Sequence, residues 1–314
     1  DPEMSRGLGD VYKRQIKSIA GEECIFCNEM MSDHTTFKVG GPAKYFVVPY
    51  RAEDIKKYIL AAEEYKIPYY VIGNGSNLLV SDKGYDGMII MLGRDLGNIT
   101  VNGDRITAEA GTSLARLFNT ARRHSLSGLE FAAGIPGTLG GACYMNAGAY
   151  GGEMKDVLTK VVTIDRQGNT HEYKQGEMEL SYRNSIFIRK QEIILSAEMK
   201  LCKGDVEKMT HKVNELLEKR KEKQPLEYPS AGSTFKRPEG DFAGRLIEEC
   251  GLKGKGVNGA EVSEKHAGFI INRNNATARD IYDTINLVID TVLEKTGIKL
   301  EPEVRLLGDF SGNT

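Results

Sequence analysis

No apolar run in the sequence approaches the roughly 18 residues that a membrane-spanning helix needs, and the opening stretch DPEMSRGLGDVYKRQ has no apolar core of the kind a secretory signal carries. The expectation is a cytoplasmic protein without a membrane partner. An excess of charge is missing too: 44 acidic residues stand against 42 basic ones, spread along the chain, so there is no electrostatic footprint for a nucleic-acid backbone. A small-molecule partner is expected. Cysteine is scarce, five in 314 residues, and only Cys24 and Cys27 lie close, as one CxxC in GEECIFCNEM. Without a second pair or an adjacent βαβ pattern these are read as free thiols, and no metal is assigned. Tandem repeats and low-complexity tracts are absent, and no GxxxxGK[ST] string occurs, which argues against a P-loop nucleotide hydrolase.

What is present is an alternation of strand and helix patterns on a chain long enough for two or three compact units. Residues 1–15 show neither period and are expected to be a flexible leader. KYFVVP reads as a strand, RAEDIKKYILAAEEYK as a helix with Ile55, Tyr58, Ile59 and Ala62 on one face, and PYYVIG as a second strand, one βαβ-like unit. The next segment, GNGSNLLVSDKGYDGMIIML, returns to strand-like runs where a doubly wound dinucleotide fold would open a helix. Further on, RITAEAG alternates through Ile106, Ala108 and Ala110, and TSLARLFNTARRHS places Leu114, Leu117, Phe118 and Ala121 on one stripe. VLTKVVTID, THEYK and IILSAEMKL supply more strands, the last alternating at Leu195, Ala197, Met199 and Leu201. A charged helix, EKMTHKVNELLEKRKEKQ, carries Met209, Val213, Leu216 and Leu217 on one side and stops before Pro225, a connector to a C-terminal unit. That unit holds AGRLIEECG, HAGFIIN and TARDIYDTINLVIDTVLEKTG, where Thr277 can cap the long helix with Asp280 three residues on.

Two stretches are dense in glycine, VIGNGSNLLV (71–80) and GIPGTLGGACYMNAGAYGGE (134–153). Glycine allows positive φ and close backbone approach, so that successive N–H groups can form a concave anion site for a pyrophosphate, with Ser76, Asn77, Thr138 and Asn146 adding side-chain bonds. Either stretch alone is equally an ordinary turn in a chain with 35 glycines. Two of them in one α+β region shift the balance to nucleotide binding.

Seven strings in order, HTTFKVGGPA, GNGSNLLV, GIPGTLGGACYMNAGAYGGE, SYRNSIF, PSAGSTFKRP, VSEKHAGFIIN and LEPEVRLLG, resemble the motifs of the UDP-N-acetylenolpyruvoylglucosamine reductase family, the MurB flavoenzymes of peptidoglycan precursor synthesis. The resemblance covers nearly everything after the leader. It implies an α+β fold: a two-subdomain FAD-binding region of the vanillyl-alcohol-oxidase (PCMH) type followed by a C-terminal α/β substrate-binding domain. The corresponding divisions are a leader at 1–15, FAD-binding subdomains at 16–97 and 98–205, and a substrate-binding domain at 206–314 whose final strand packs back on the first subdomain. The implied FAD contacts are Gly73, Asn74, Gly75, Ser76, Asn77 and Leu78 in the first loop. In the second they are Gly134, Ile135, Pro136, Gly137, Thr138, Gly140, Gly141, Asn146, Ala147 and Gly148. Some relatives with that flavin fold attach the cofactor to a histidine in the first loop; Asn74 stands between the glycines here, so non-covalent FAD is implied.

The resemblance also assigns roles. The family's substrate is a vinyl ether conjugated to a carboxylate, reduced by hydride at the β-carbon, carried by FAD from NADPH, and a proton at the α-carbon. Arg183 in SYRNS is implied as the cation facing the charge that develops, Ser233 as the proton donor, and Glu303 as a carboxyl that helps protonate or stabilise the intermediate. Tyr182, Lys223, Gly232, Lys236, Arg237 and His266 are implied substrate contacts, the cations for a diphosphate. Taken on their own, Arg183 and Glu303 read as surface ion-pair partners and His266 as a core histidine. Many relatives carry Asn where Arg237 stands and a larger side chain where Gly256 stands, and the chain lacks the tyrosine-bearing insertion after SYRNSIF, which places it in the shorter subclass. Two other readings stay open: a carbohydrate oxidase on the same flavin fold, and a non-catalytic protein that binds a nucleotide sugar or flavin.

Overall fold

The structure, a computed structural model, describes residues 25–312. The expected leader and Cys24 lie outside the described residues. Strands and helices alternate throughout, an α+β architecture. Two compact units are each assembled from separated segments. The first gathers residues 25–27, Tyr45–Gly73 and Gly87–Leu216; the second gathers Asn28–Lys44, Asn74–Asp86 and the chain from Leu217 on.

The first unit is built on a five-stranded antiparallel sheet in the order Thr170–Lys174, Leu158–Ile164, Ile193–Lys200, Arg105–Glu109, Ile99–Asn102. Val161 lies opposite Ala197, and Ala197 opposite Ala108. All three are buried, so alternation along each strand aims one row of side chains into a common core. The helix Leu114–Arg123 adds Leu114, Leu117, Phe118 and Ala121 to that core, the stripe that its sequence period predicts. Ser113 caps it by accepting from the Arg116 N–H. Ile55, Tyr58, Ile59 and Ala62 of the helix Ala52–Glu64 are buried in the same core. The strands flanking this helix are not neighbours: Tyr85–Met91 lies between Pro42–Val47 and Tyr69–Ile72, and pairs in parallel with the latter, Val71 opposite Ile90. Strands consecutive in sequence need not pair, and here a later strand lies between the two.

One feature of the connector helix departs from expectation. Met209, Val213 and Leu216 of Val206–Lys223 are buried, whereas Leu217 is 41% exposed. One residue past Leu216 is a rotation of about 100° on the helix, enough to leave a narrow stripe. Cys27, on the strand Ile25–Met30, is a half-buried free thiol, as are buried Cys143 and Cys250 and exposed Cys202; burial pushes the Cys143 thiol up from its ordinary value.

The second unit centres on the helix Ala278–Thr296, whose Ile281, Ile285, Val288 and Val292 are buried. It packs on a three-stranded antiparallel sheet, Gly256–Val257, Ala260–Val262 and Ile270–Asn272. Phe37, Val39 and Leu79, distant in sequence, complete this core, each such side chain contributing roughly 1.5–3 kcal/mol by leaving water. The final strand Arg305–Leu307 runs parallel to Leu78–Val80, Arg305 opposite Leu78. The start of the long helix is satisfied twice. Thr277 and Asp280 form the reciprocal capping box that their spacing predicts. The Asp82 carboxylate accepts from the Ala278 and Arg279 N–H groups, each at 2.8 Å. Thr277→Ala is therefore expected to destabilise the protein by about 1 kcal/mol, read as a lower urea midpoint; an unchanged midpoint would show that Asp82 alone suffices.

Candidate active site

The first glycine loop joins Tyr69–Ile72 to Leu78–Val80, strand to strand as expected. Gly73 has no room for a side chain, because a Cβ there would overlap the Thr138 hydroxyl of the second glycine stretch. Gly75 sits at φ +58° with a Cβ position that would overlap the His34 carbonyl, so both its conformation and its surroundings require glycine. Asn77 is tied down within its own unit: its side-chain amide donates to Glu303 O at 3.2 Å and its carbonyl accepts from the Arg305 N–H at 3.0 Å. The loop residues Ser76 and Leu78 flank it, half-buried and buried respectively.

The second glycine stretch is part helix. Leu139–Tyr144 forms two short turns that lie on the strand Ile193–Lys200. Gly140 permits this, since a Cβ on it would stand 2.9 Å from that of Ala110, and its N–H donates to Ala110 O. Gly134, Ile135, Pro136 and Gly137 form the turn before it, with Gly137 O accepting from the Leu114 N–H at 3.1 Å. Thr138 is buried and bridges Ser113 through the backbone. Beside it, the Thr112 hydroxyl is buried without any hydrogen-bond partner, as is the Thr36 hydroxyl in the second unit. Nothing in the sequence marks either threonine, because a missing partner is a property of the folded surroundings. Asn146, at φ +43° and 1% exposed, uses its amide within the protein, donating to Glu153 Oε2 at 2.8 Å and Ser181 O at 3.1 Å. Ala147 follows it, its carbonyl accepting from the Met154 N–H, and Gly148–Ala149 then pairs with Gly152–Glu153.

Arg183 lies at the tip of a tight turn closed by reciprocal backbone bonds between Ser181 and Asn184, each 3.1 Å. Its φ of +52° is a left-handed conformation that costs a non-glycine residue about 1–2 kcal/mol. Its guanidinium carbon stands 5.3 Å from the centre of the Tyr182 ring, and Tyr182 itself is exposed.

In the second unit Ser233 is exposed and Thr234 fully buried. The Thr234 N–H donates to Gly268 O at 2.8 Å, its hydroxyl accepts from the Ile270 N–H at 3.1 Å, and its carbonyl accepts from the Glu303 N–H at 2.8 Å. Phe235 bridges Pro302, so the Ser233 and Glu303 segments run side by side in antiparallel register. Gly232, at φ +77°, opens onto free space. Lys236 forms a salt bridge to Glu301 at 3.0 Å, the Arg237 guanidinium stacks 4.8 Å over Phe242, and Lys223 is exposed at the end of its helix. Just beyond Lys223, Gln224 holds a buried carbonyl oxygen with no partner, a feature the sequence reading missed. His266 Nδ1 accepts from the Gly268 N–H at 3.0 Å, which leaves the ring proton on Nε2. Burial, assisted by the Lys253 cation, holds His266 below its ordinary value of 6.5.

Comparison with known proteins defines the class first. The FAD binding domain family matches residues 43–174, which makes this an FAD-binding α+β protein. A second family profile, the C-terminal domain of UDP-N-acetylenolpyruvoylglucosamine reductase, matches residues 224–307. Proteins named UDP-N-acetylenolpyruvoylglucosamine reductase are similar over most of the chain. That of Caldanaerobacter subterraneus is 48% identical across 96% of this chain and all of its own length. That of Syntrophomonas wolfei is 52% identical across 91% of this chain and 96% of its own. A crystal structure of the reductase from Thermus caldophilus superposes with a TM-score of 0.76 at 36% identity, covering 89% of this chain and 98% of that one. The chain belongs to the UDP-N-acetylenolpyruvoylglucosamine reductase family.

Two outcomes follow from this geometry. Gly73→Ala is expected to reduce bound flavin per chain severalfold or more, since overpacking of this kind costs about 1–3 kcal/mol, with partial recovery in Gly73→Ala/Thr138→Ala; full flavin content in the single variant would remove Gly73 from the cradle. For His266 the fold favours the neutral ring, so its contribution to stability is present above 6.5 and is lost as pH falls from 6.5 toward its lowered folded value. His266→Gln should flatten the pH dependence of urea stability in that window and leave the pH dependence above it unchanged.

Proposed function

We propose that this protein reduces UDP-N-acetylglucosamine enolpyruvate to UDP-N-acetylmuramate with NADPH, through non-covalently bound FAD, in the cytoplasmic stage of cell-wall synthesis. Family membership over nearly the whole chain supports the reaction. The observation that carries the site is the pairing of the Ser233 and Glu303 segments through Thr234. Among the described residues no helix is long and apolar enough to cross a membrane.

The residues present fit a flavin. Gly73 meets the Thr138 hydroxyl where any side chain would collide, and the buried Thr112 hydroxyl beside Thr138 lacks a partner; a ligand rich in polar edges relieves such an unsatisfied group. Backbone at Gly73–Leu78 and Gly134–Thr138, with Gly140, Gly141, Ala147 and Gly148, is assigned to hold it. Held there, FAD would supply hydride chemistry, with NADPH as the source and the β-carbon of the substrate as the acceptor.

The chain's own residues manage the charge and the proton. Addition at the β-carbon drives negative charge onto the substrate carboxylate, and the Arg183 cation, fixed on its turn, stabilises that charge more than it stabilises the ground state. Ser233 gives its hydroxyl proton to the α-carbon. A serine hydroxyl is a weak acid, so placement decides its effectiveness, and the buried bonds of Thr234 hold the Ser233 backbone while its side chain stays exposed. Glu303 is assigned to assist this proton transfer from the adjoining strand. Lys223, Lys236 and Arg237 are assigned to the diphosphate; Lys236 exchanges Glu301 for phosphate oxygens. Tyr182, Gly232 and His266 complete the assigned substrate contacts.

Ser233→Ala tests this directly. Flavin reduction by NADPH is expected to proceed at nearly its normal rate, while reoxidation by the enolpyruvyl substrate slows by about 10²–10⁴-fold. Equal losses in both half-reactions would make Ser233 structural, and turnover indifferent to the enolpyruvyl sugar nucleotide would reject the function.

A further inference from the structure

The Arg183 turn is held from both ends by two buried side chains, and we infer that Asn146 and Ser185 are positioning residues that fix the Arg183 guanidinium for reaction. The inference rests on Arg183 acting on the substrate. A left-handed residue persists where its surroundings over-determine it. The reciprocal bonds between Ser181 and Asn184 close the turn, but they do not locate it on the protein.

Location comes from the segment just after the short glycine-rich helix. On the incoming side, one hydrogen of the Asn146 amide goes to Ser181 O at 3.1 Å and the other to Glu153 Oε2 at 2.8 Å, while Asn146 Oδ1 accepts from the Lys155 N–H at 2.9 Å. Both amide hydrogens are thereby used, and none remains for a ligand. On the outgoing side, the Ser185 hydroxyl donates to Tyr144 O at 2.7 Å and accepts from the Ile188 N–H, capping the helix Ile186–Lys190. Tyr144 and Asn146 are two residues apart, so both ends of the turn are moored to one short stretch of backbone. Asn146 is 1% and Ser185 2% exposed. Truncating either side chain removes one of the two bonds that moor the turn to this stretch, and the turn relaxes. The signal is invisible along the chain, where Asn146 reads as one more polar residue of a glycine loop.

The test uses the flavin-loaded enzyme and a double-mutant cycle. Asn146→Ala and Ser185→Ala are each expected to slow substrate-driven flavin reoxidation by about tenfold to hundredfold, the cost of a small misplacement of a reacting partner. Both should retain bound flavin, and both should speed amide hydrogen exchange at Ser181 and Asn184. In an Arg183→Ala background either change should add less than about twofold, because a residue that acts only through Arg183 has nothing left to position. Losses that multiply in the double variants would overturn the inference, as would single variants with normal reoxidation. Flavin loss from Asn146→Ala at an unchanged melting temperature would overturn it for Asn146; if that variant does not fold, Ser185→Ala and its double carry the test. Normal reoxidation in Arg183→Ala alone would instead reject the role of Arg183 in the proposed function.

Discussion

Thr234 uses all of its polar groups on the chain around it, and the chemistry proposed for the second unit depends on that. Its N–H, hydroxyl and carbonyl reach Gly268, Ile270 and Glu303, three points from two other segments. A buried hydroxyl or peptide group left unpaired costs about 1–3 kcal/mol, so the threonine cannot slip without losing several bonds at once. Ser233, the next residue, inherits this rigidity while remaining exposed. Glu303 is fixed by the same bond, and Asn77 holds its carbonyl from the other side. A weakly acidic proton donor works only when its position is determined, and for Ser233, proposed in that role, a buried neighbour sets the backbone.

The glycines serve packing, whatever else the two loops hold. Gly140 lets a helix settle onto Ala110, and Gly73 lets two loops approach until only a hydroxyl fits between them. Each contact would be lost with a single methyl group, since protein interiors have no spare volume. Gly140 shows how fully such closeness is used, since its own N–H donates to Ala110 O. Asn146 marks the limit of that reasoning: it lies in the glycine stretch, yet its amide is committed to Glu153 and to the carbonyl of Ser181.

Periodicity made the helices legible. The buried faces of Ala52–Glu64 and Leu114–Arg123 and the capping box at Thr277 follow from spacing alone, because such features are local and a helix repeats them every turn. Leu217 was misplaced because the edge of an apolar stripe is set by what packs there. The strand between Pro42–Val47 and Tyr69–Ile72 could not be foreseen either, since sheet order depends on long-range pairing. Lys236 and Arg237 are legible as cations in the sequence, but the salt bridge from Lys236 to Glu301 and the stacking of Arg237 on Phe242 are tertiary facts.

The sequence by itself therefore determined the inventory: α+β elements, two glycine loops without a phosphate-hydrolase motif, and an ordered set of motifs specific enough to name a family. Local propensity and residue chemistry suffice for that. Only the tertiary structure decided which polar atoms are used and which are left over. Thr112 and Gln224 became notable because they lack partners, Asn146 and Ser185 because they have them, and Ser233 rather than Thr234 stands open because the fold buries one hydroxyl of an adjacent pair. Hydrogen-bond satisfaction joins residues far apart in sequence, and no pattern read along the chain contains it.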